Sequence, residues 1–581
     1  MRSEDSVIVT GSRIAGPMTS ITNNQHAAVD EGDVVKRIGD HLIVLQDGRL
    51  FAAAIREDGE ATLSFADRID VYDDPGIDTW YDEMLVFGRR ILVTGYSYDR
   101  AAAVYEIVRL DEDGRFEHEA RYLLEGNDYY SGENYASRIV GNRFVTYMRF
   151  DFWLFRNSEL SPLPIIRNEN ESANRSSHPS YADIYMPLQH IEEPTIYMIS
   201  VCDLSRVELE GFDCETTSVV AGNHAEFYVT ETDAYLWTAR SDWDIANEFA
   251  ARSPFELGLE ARRSDLTHPV YRLNFATGEL AVARVEGTPP NQLAIDGTDA
   301  DFRALTIVEY PIQDEETGRI RDEFRVGYLS FDLSEFDREF RPVPLAAYTR
   351  LPDVEHGYPY LETRFVGDWL VYGEVDSWSP PQDDDEPLNG SVIFVPTSVP
   401  AEFIRLPLGF SPLRVDQVDG HPVVTGYRDQ AGLRVGWFDL DPLPSLVSSA
   451  LLDDRYESEN RSHAFNGIGV EDSAILGIPT VRRPEDAGRW WWESDASDLS
   501  FLTFTESAGL ADAGEIAGSE NNVAPDYACE VSCIDWYGNS RPIFTDGRIF
   551  ALSGAEIAEA ELVDGQIREI RRVNLTGATV R

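Results

Sequence analysis

Apolar and polar residues alternate on both sides of a two-residue turn in the stretch Thr363-Arg364-Phe365-Val366-Gly367-Asp368-Trp369-Leu370-Val371-Tyr372-Gly373. A period of two marks half-buried strands, and a short turn between two of them marks a hairpin. The same pattern recurs at Arg37–Val44, Leu85–Val93, Arg138–Val145, Gln417–Val424 and Ile543–Leu552. Its glycines stand at positions 39, 88, 141, 367, 420 and 547. Where no insertion intervenes they are 49 and 53 residues apart (39 to 88, 88 to 141), about the length that four short strands and their turns need. Repeated four-stranded units predict an all-β chain, a β-propeller with its blades set around a channel.

The array is expected to begin at residue 33, after an N-terminal arm of residues 1–32 that is flexible or adds a strand to a partner's sheet edge. Residues 33–581 then form one propeller domain. Units are predicted at 33–72, 80–125, 136–222, 224–286, 291–349, 361–408, 412–452 and 463–506, with a last set of strands at 541–576. Eight blades are expected and seven to nine are allowed, because the terminal strands can share a blade. Segments 151–194, 242–264 and 376–390 exceed what hairpins need and read as exposed loops, with a short helix expected within 242–264.

Charge changes what the surface can meet. The chain carries 103 acidic and 49 basic residues, net −54, and Lys36 is its only lysine. Such a field repels phosphate backbones and argues against nucleic acid as partner. It describes a solvated acidic surface, or one that binds cations. No apolar run is long enough to span a bilayer as a helix.

The four cysteines fall into two close pairs, Cys202/Cys214 and Cys529/Cys533. Local disulfides are the simplest of the three pairings and imply an oxidising compartment. The Cys-x3-Cys spacing also suits a metal, but neither a second nearby pair nor a histidine cluster supports zinc. Met1–Asp5 lacks the apolar core of a signal peptide, so a chain whose leader has been removed is expected.

Chemistry is sparse. The sequence holds no nucleophile elbow, phosphate loop, dinucleotide fingerprint or zincin helix; His118-Glu119 has no second histidine four residues on. His421 and His463 read as structural. Candidate calcium ligands are Asp73, Asp74 and Asp78, beside Asp70, and Asp383, Asp384 and Asp385, with Asp242 and Asp244 as a third acidic group. Calcium requires six to eight oxygens, and turned loops supply carbonyls as well as carboxylates. Trp490, Trp491 and Trp492 cannot all face one side of a strand. With Trp378, Trp243 and Tyr181 they are candidate binding residues, since exposed aromatics stack on sugars or anchor interfaces.

The order of the segments resembles the secreted β-propeller-domain proteins of archaea and bacteria, some of them associated with cell surfaces. The resemblance rests on Gly32–Lys36, Tyr81–Leu85, Tyr135–Gly141, Asn291–Asp296 and Phe302–Thr306, and it covers residues 32–576. Separately, Val7–Ile14 resembles the start of the plug domain of TonB-dependent receptors. The propeller family implies an extracytoplasmic propeller and supplies no catalytic residues. Two functions follow as expectations: a non-enzymatic binding or scaffold propeller facing a protein or glycan at the cell envelope, or a hydrolase or lyase using channel-facing carboxylates, with or without calcium. A scaffold is expected to have a dry, aliphatic channel, and a metal enzyme several Asp, Glu or His side chains at one mouth.

Overall fold

The computed structural model describes residues 21–72, 79–127, 136–151, 166–168, 184–186, 191, 194–206, 214–239, 267–313, 320–337, 341–352, 360–381, 386–459, 461–470, 473–482, 498–518 and 540–577. Their strands form nine separate sheets, nearly all antiparallel, each built on four strands contributed in chain order. These are nine blades of a β-propeller. Blades 1 to 9 span 35–70, 79–125, 137–221, 224–286, 295–350, 361–407, 411–453, 466–516 and 540–574. Nine is the upper end of the expected range, because the last strands make a blade of their own. The eighth unit also runs further than 506: its fourth strand, Gly509–Ile516, is rich in Gly, Ala and Asp and lacks clear alternation.

The hairpins form where the pattern predicts. Val366 lies opposite Trp369 with only Gly367 and Asp368 between them, and Gly367 has φ of 56°. A positive φ at the first central position is what a II′ turn requires, and glycine reaches it without strain. Across Asp419-Gly420 both residues have positive φ, 50° and 80°, the requirement of a type I′ turn. The disulfide Cys202–Cys214 joins directly opposed residues on the last two strands of blade 3.

Apolar clusters fill the seams between neighbouring blades. Leu85, Leu92 and Tyr105 of blade 2 pack on Ile139, Phe144 and Met198 of blade 3. The ring closes through the same kind of seam: Ile543, Phe550, Leu552 and Ile557 of blade 9 pack on Val35, Leu42, Val44 and Phe51 of blade 1. Each buried Leu or Phe contributes about 1.5–3 kcal/mol. Arg548 adds hydrogen bonds from blade 9 to the carbonyls of Ile55 (2.5 Å) and Thr62 (2.7 Å) in blade 1.

Candidate functional site

The first strand of each blade faces the axis. Side chains from blades far apart in the ring meet there, which only the hub allows. Arg461, just before blade 8, contacts Asp82 of blade 2 at 3.3 Å. Arg138 of blade 3 donates to Gln292, just before blade 5, at 3.1 Å.

The chain's own residues 21–33 occupy this channel. Asn23 donates to both Asp416 carboxylate oxygens (3.1 Å each) and to the Ser462 carbonyl, and accepts from Arg364 at 3.3 Å. Gln25 donates to the carbonyls of Gln292 and Ile295 at 3.1 and 3.0 Å. His26 meets the Tyr228 hydroxyl at 2.5 Å, and the Asn466 amide donates to the Ile21 carbonyl at 2.9 Å. Val29–Glu31 then adds an antiparallel strand to Ser137–Val140, and Asp33 pairs its backbone with Met84. These three residues of the arm therefore add a strand to this chain's own blade 3.

Carboxylates and arginines from the channel wall close around the segment. Glu31 lies between Arg138 (3.4 Å) and His463 (2.6 Å). Burial opposes its charge, but Arg138 and His463 outweigh that cost and hold its pKa down at about 2. Arg541 bridges Asp33 (2.9 Å) and Glu459 (2.5 Å). Arg414 pairs with Glu457 and also donates to the carbonyls of Arg461 (3.0 Å) and Glu459 (2.7 Å). Lys36 reaches Thr22 (2.9 Å), Asp30 (2.7 Å) and the Glu31 carbonyl (2.5 Å), all in the channel segment.

Three groups resist ionisation. Burial pushes Asp296 up and His26 down, each partly countered by the other's charge. Glu83 is pushed up to about 8, by burial first and by neighbouring Asp82 second. The Ser137 hydroxyl, Arg138 and Arg461 pull the other way and do not offset the burial.

The hub thus differs from both expectations: it is neither aliphatic nor an open mouth of carboxylates, but a packed ionic core around a peptide segment. Among the described residues no group of three His, Cys, Asp or Glu side chains could hold a metal ion. Asp73, Asp74, Asp78, Asp383, Asp384, Asp385, Asp242 and Asp244 lie outside the described residues, as do Trp490, Trp491, Trp492, Trp243, Tyr181, Cys529, Cys533, residues 7–14 and the helix expected in 242–264. Asp70 pairs with Arg49 at 3.2 Å. Trp378 is 46% exposed, edge-on to Tyr360, which is 54% exposed. His118 pairs with Glu106, and His421 stacks on Trp437. His463, read as structural, faces Glu31 in the hub.

The hub residues carried one unread signal. Ser137-Arg138-Ile139, Thr363-Arg364-Phe365, Leu413-Arg414-Val415 and Ser540-Arg541-Pro542 each place an arginine inside the first strand of a blade. A charge recurring in the first strand of unit after unit is a sign that those strands share one polar environment.

A closed ring of four-stranded blades around a filled axis defines a β-propeller. The chain belongs to the beta propeller domain family, whose model matches residues 19–326, from the channel segment into blade 5. Among solved structures, the chain is similar to apo AztD from Citrobacter koseri, at 11% identity over 72% of this chain and 93% of that one, with a TM-score of 0.30. It is also similar to the polysaccharide lyase Uly1, at 12% identity over 61% and 82%, TM-score 0.28. A post-proline cleaving enzyme from Rickettsia typhi is similar at 8% identity over 92% and 58%, TM-score 0.34. Comparison with curated proteins found no match.

Proposed function

We propose that the chain is a non-enzymatic binding or scaffold propeller working outside the cytoplasm, at the cell envelope. The observation that carries this reading is the filled hub. The channel, where a propeller enzyme would hold its substrate, is occupied by residues 21–33, and most of its carboxylates are engaged by arginines. Contact with a protein or glycan then falls to the loops. The exposed pair Trp378 and Tyr360 supports this for the 376–390 loop. Segments 151–194 and 242–264, with Trp243, Tyr181 and Trp490–Trp492, complete the surface, and calcium at Asp73–Asp78 or Asp383–Asp385 would order its loops. The Cys202–Cys214 disulfide supports an oxidising compartment.

A second reading, a hydrolase or lyase, rests on one group: Glu83, a buried carboxyl that keeps its proton at neutral pH as a general acid does. It requires the channel segment to leave. The test is to shorten each of the three loops separately and measure melting together with binding to arrays of envelope glycans and purified envelope proteins. Binding lost with melting unchanged is expected. Binding retained after all three deletions contradicts the loop reading, and turnover of a glycan or peptide abolished by Glu83→Gln favours the enzyme.

A further inference from the structure

Glu83 does not fit the logic of the rest of the hub. Its neighbours are paired: Asp82 with Arg461 at 3.3 Å, Glu31 with Arg138 and His463, Asp33 with Arg541. Glu83 is fully buried and, among the described residues, pairs with no cation; a serine hydroxyl, that of Ser137, is the polar group that faces it. The groups around it come from every element packed there. Asp82 precedes it in its own strand, Thr94 lies opposite it, and Tyr105 stands in the third strand of blade 2. Ser137 and Arg138 face it from blade 3, and Arg461 from the segment before blade 8. The channel segment passes beside it at Gly32. A Cβ built on Gly32 would stand 2.2 Å from Glu83 Oε2, so Gly32 is there to let this carboxyl lie against the backbone. The nearby cations are committed elsewhere, Arg138 to Glu31 and Gln292 and Arg461 to Asp82.

We propose that Glu83 is a proton-operated latch on the channel segment. Protonated, it lies against Gly32 and residues 21–33 stay in the hub; ionised, it becomes a buried charge beside Asp82, and the segment is released.

The direction follows from linkage. A carboxyl whose pKa is near 8 when the segment is in place, and near the ordinary 4.5 when it is out and hydrated, favours the held state below 4.5. That preference weakens as pH rises toward about 8 and is fully lost above it. Glu31 and Asp33, both lowered, act the opposite way, but their contribution is complete above pH 4.5. His26, lowered by burial, weakens the hold only below about 6.5. Asp296 and Glu459 are also raised by burial, so the Glu83 variant, not the pH profile alone, carries the test.

The experiment is hydrogen exchange of the full chain at pH 6.5 and 8.5, corrected for intrinsic exchange rates, followed in peptides covering 21–33 with global melting tracked in parallel. The wild type is expected to open this segment about tenfold more per pH unit up to about 8, while the blades stay protected. Glu83→Gln keeps the shape without the charge and is expected to hold the segment equally at both pH values. Gly32→Ala is expected to release it already at pH 6.5. A wild type equally protected at both pH values overturns the latch, as does a Glu83→Gln variant that opens with pH like the wild type, or a Gly32→Ala variant as protected as the wild type.

Discussion

The seams between blades and the hub at the axis solve the same problem with opposite chemistry. A seam joins neighbours in the ring through buried Leu, Val, Ile and aromatic side chains, as blade 2 joins blade 3. The hub joins residues hundreds of positions apart through guanidinium, carboxylate and carboxamide groups, as Asn23 joins Asp416. Apolar packing is undirected and tolerates exchange of similar side chains. A buried ion pair requires both partners in place, since each is costly alone. The difference teaches that the ring is closed twice, at the rim by area and at the hub by pairing, and that the hub is where a single side chain decides most.

The largest effect tests the rim. Deleting residues 541–576 removes blade 9 and its seams, and is expected to unfold the chain in one cooperative transition; a truncated chain that melts like the parent would mean that the ring does not depend on closure. Next comes the hub. Arg541→Ala leaves Asp33 and Glu459 buried without their cation and is expected to cost about 3–5 kcal/mol in denaturant unfolding. Glu31 sharpens the same point through pH. Its pKa near 2, against an ordinary 4.5, gives stability that is present above 4.5 and lost as pH falls toward 2. That amounts to about 3 kcal/mol, and Glu31→Gln is expected to flatten the acid limb of the stability curve. At the seam, Leu552→Ala is expected to cost about 2–5 kcal/mol at all pH values, because it leaves a cavity and no charge. The smallest effect is outside both regions: Arg109→Ala breaks an exposed pair with Glu117 and is expected to leave the melting temperature unchanged.

The seams were legible in the sequence and the hub was not. The first unit, expected at 33–72, holds four strands, Val35–Ile38, His41–Gln46, Arg49–Glu57 and Glu60–Asp70. Alternation reports which face of a strand is buried, and the turn glycines report where it reverses, so local pattern was enough. The hub depends on which distant residues meet, and one-dimensional periodicity holds no such information. Residues 21–33 show it most clearly. All but Asp33 read as part of an arm with little alternation, yet Asn23, Gln25 and His26 are matched to partners on blades 4 to 7. Arg138, Arg364, Arg414 and Arg541 were visible as a recurring residue but not as a site, because a lone arginine in a strand reads as solvated until its carboxylate is known. Trp378 was selected as an exposed aromatic and is one. The acidic candidates carried no pairing information, and the same composition serves solvent, cation or arginine.

The central claim is that the chain's own N-terminal segment is bound at the hub by specific pairing. The most direct measurement is a double-mutant cycle between Asn23 and Asp416, which lie 393 positions apart and hydrogen-bond at 3.1 Å. Unfolding free energies of Asn23→Ala, Asp416→Ala and the double variant give the coupling alone. A coupling of about 1.5–3 kcal/mol, the range of a hydrogen bond to a charged group, is predicted. Additive effects, with no coupling between the two sites, would contradict a hub built around residues 21–33.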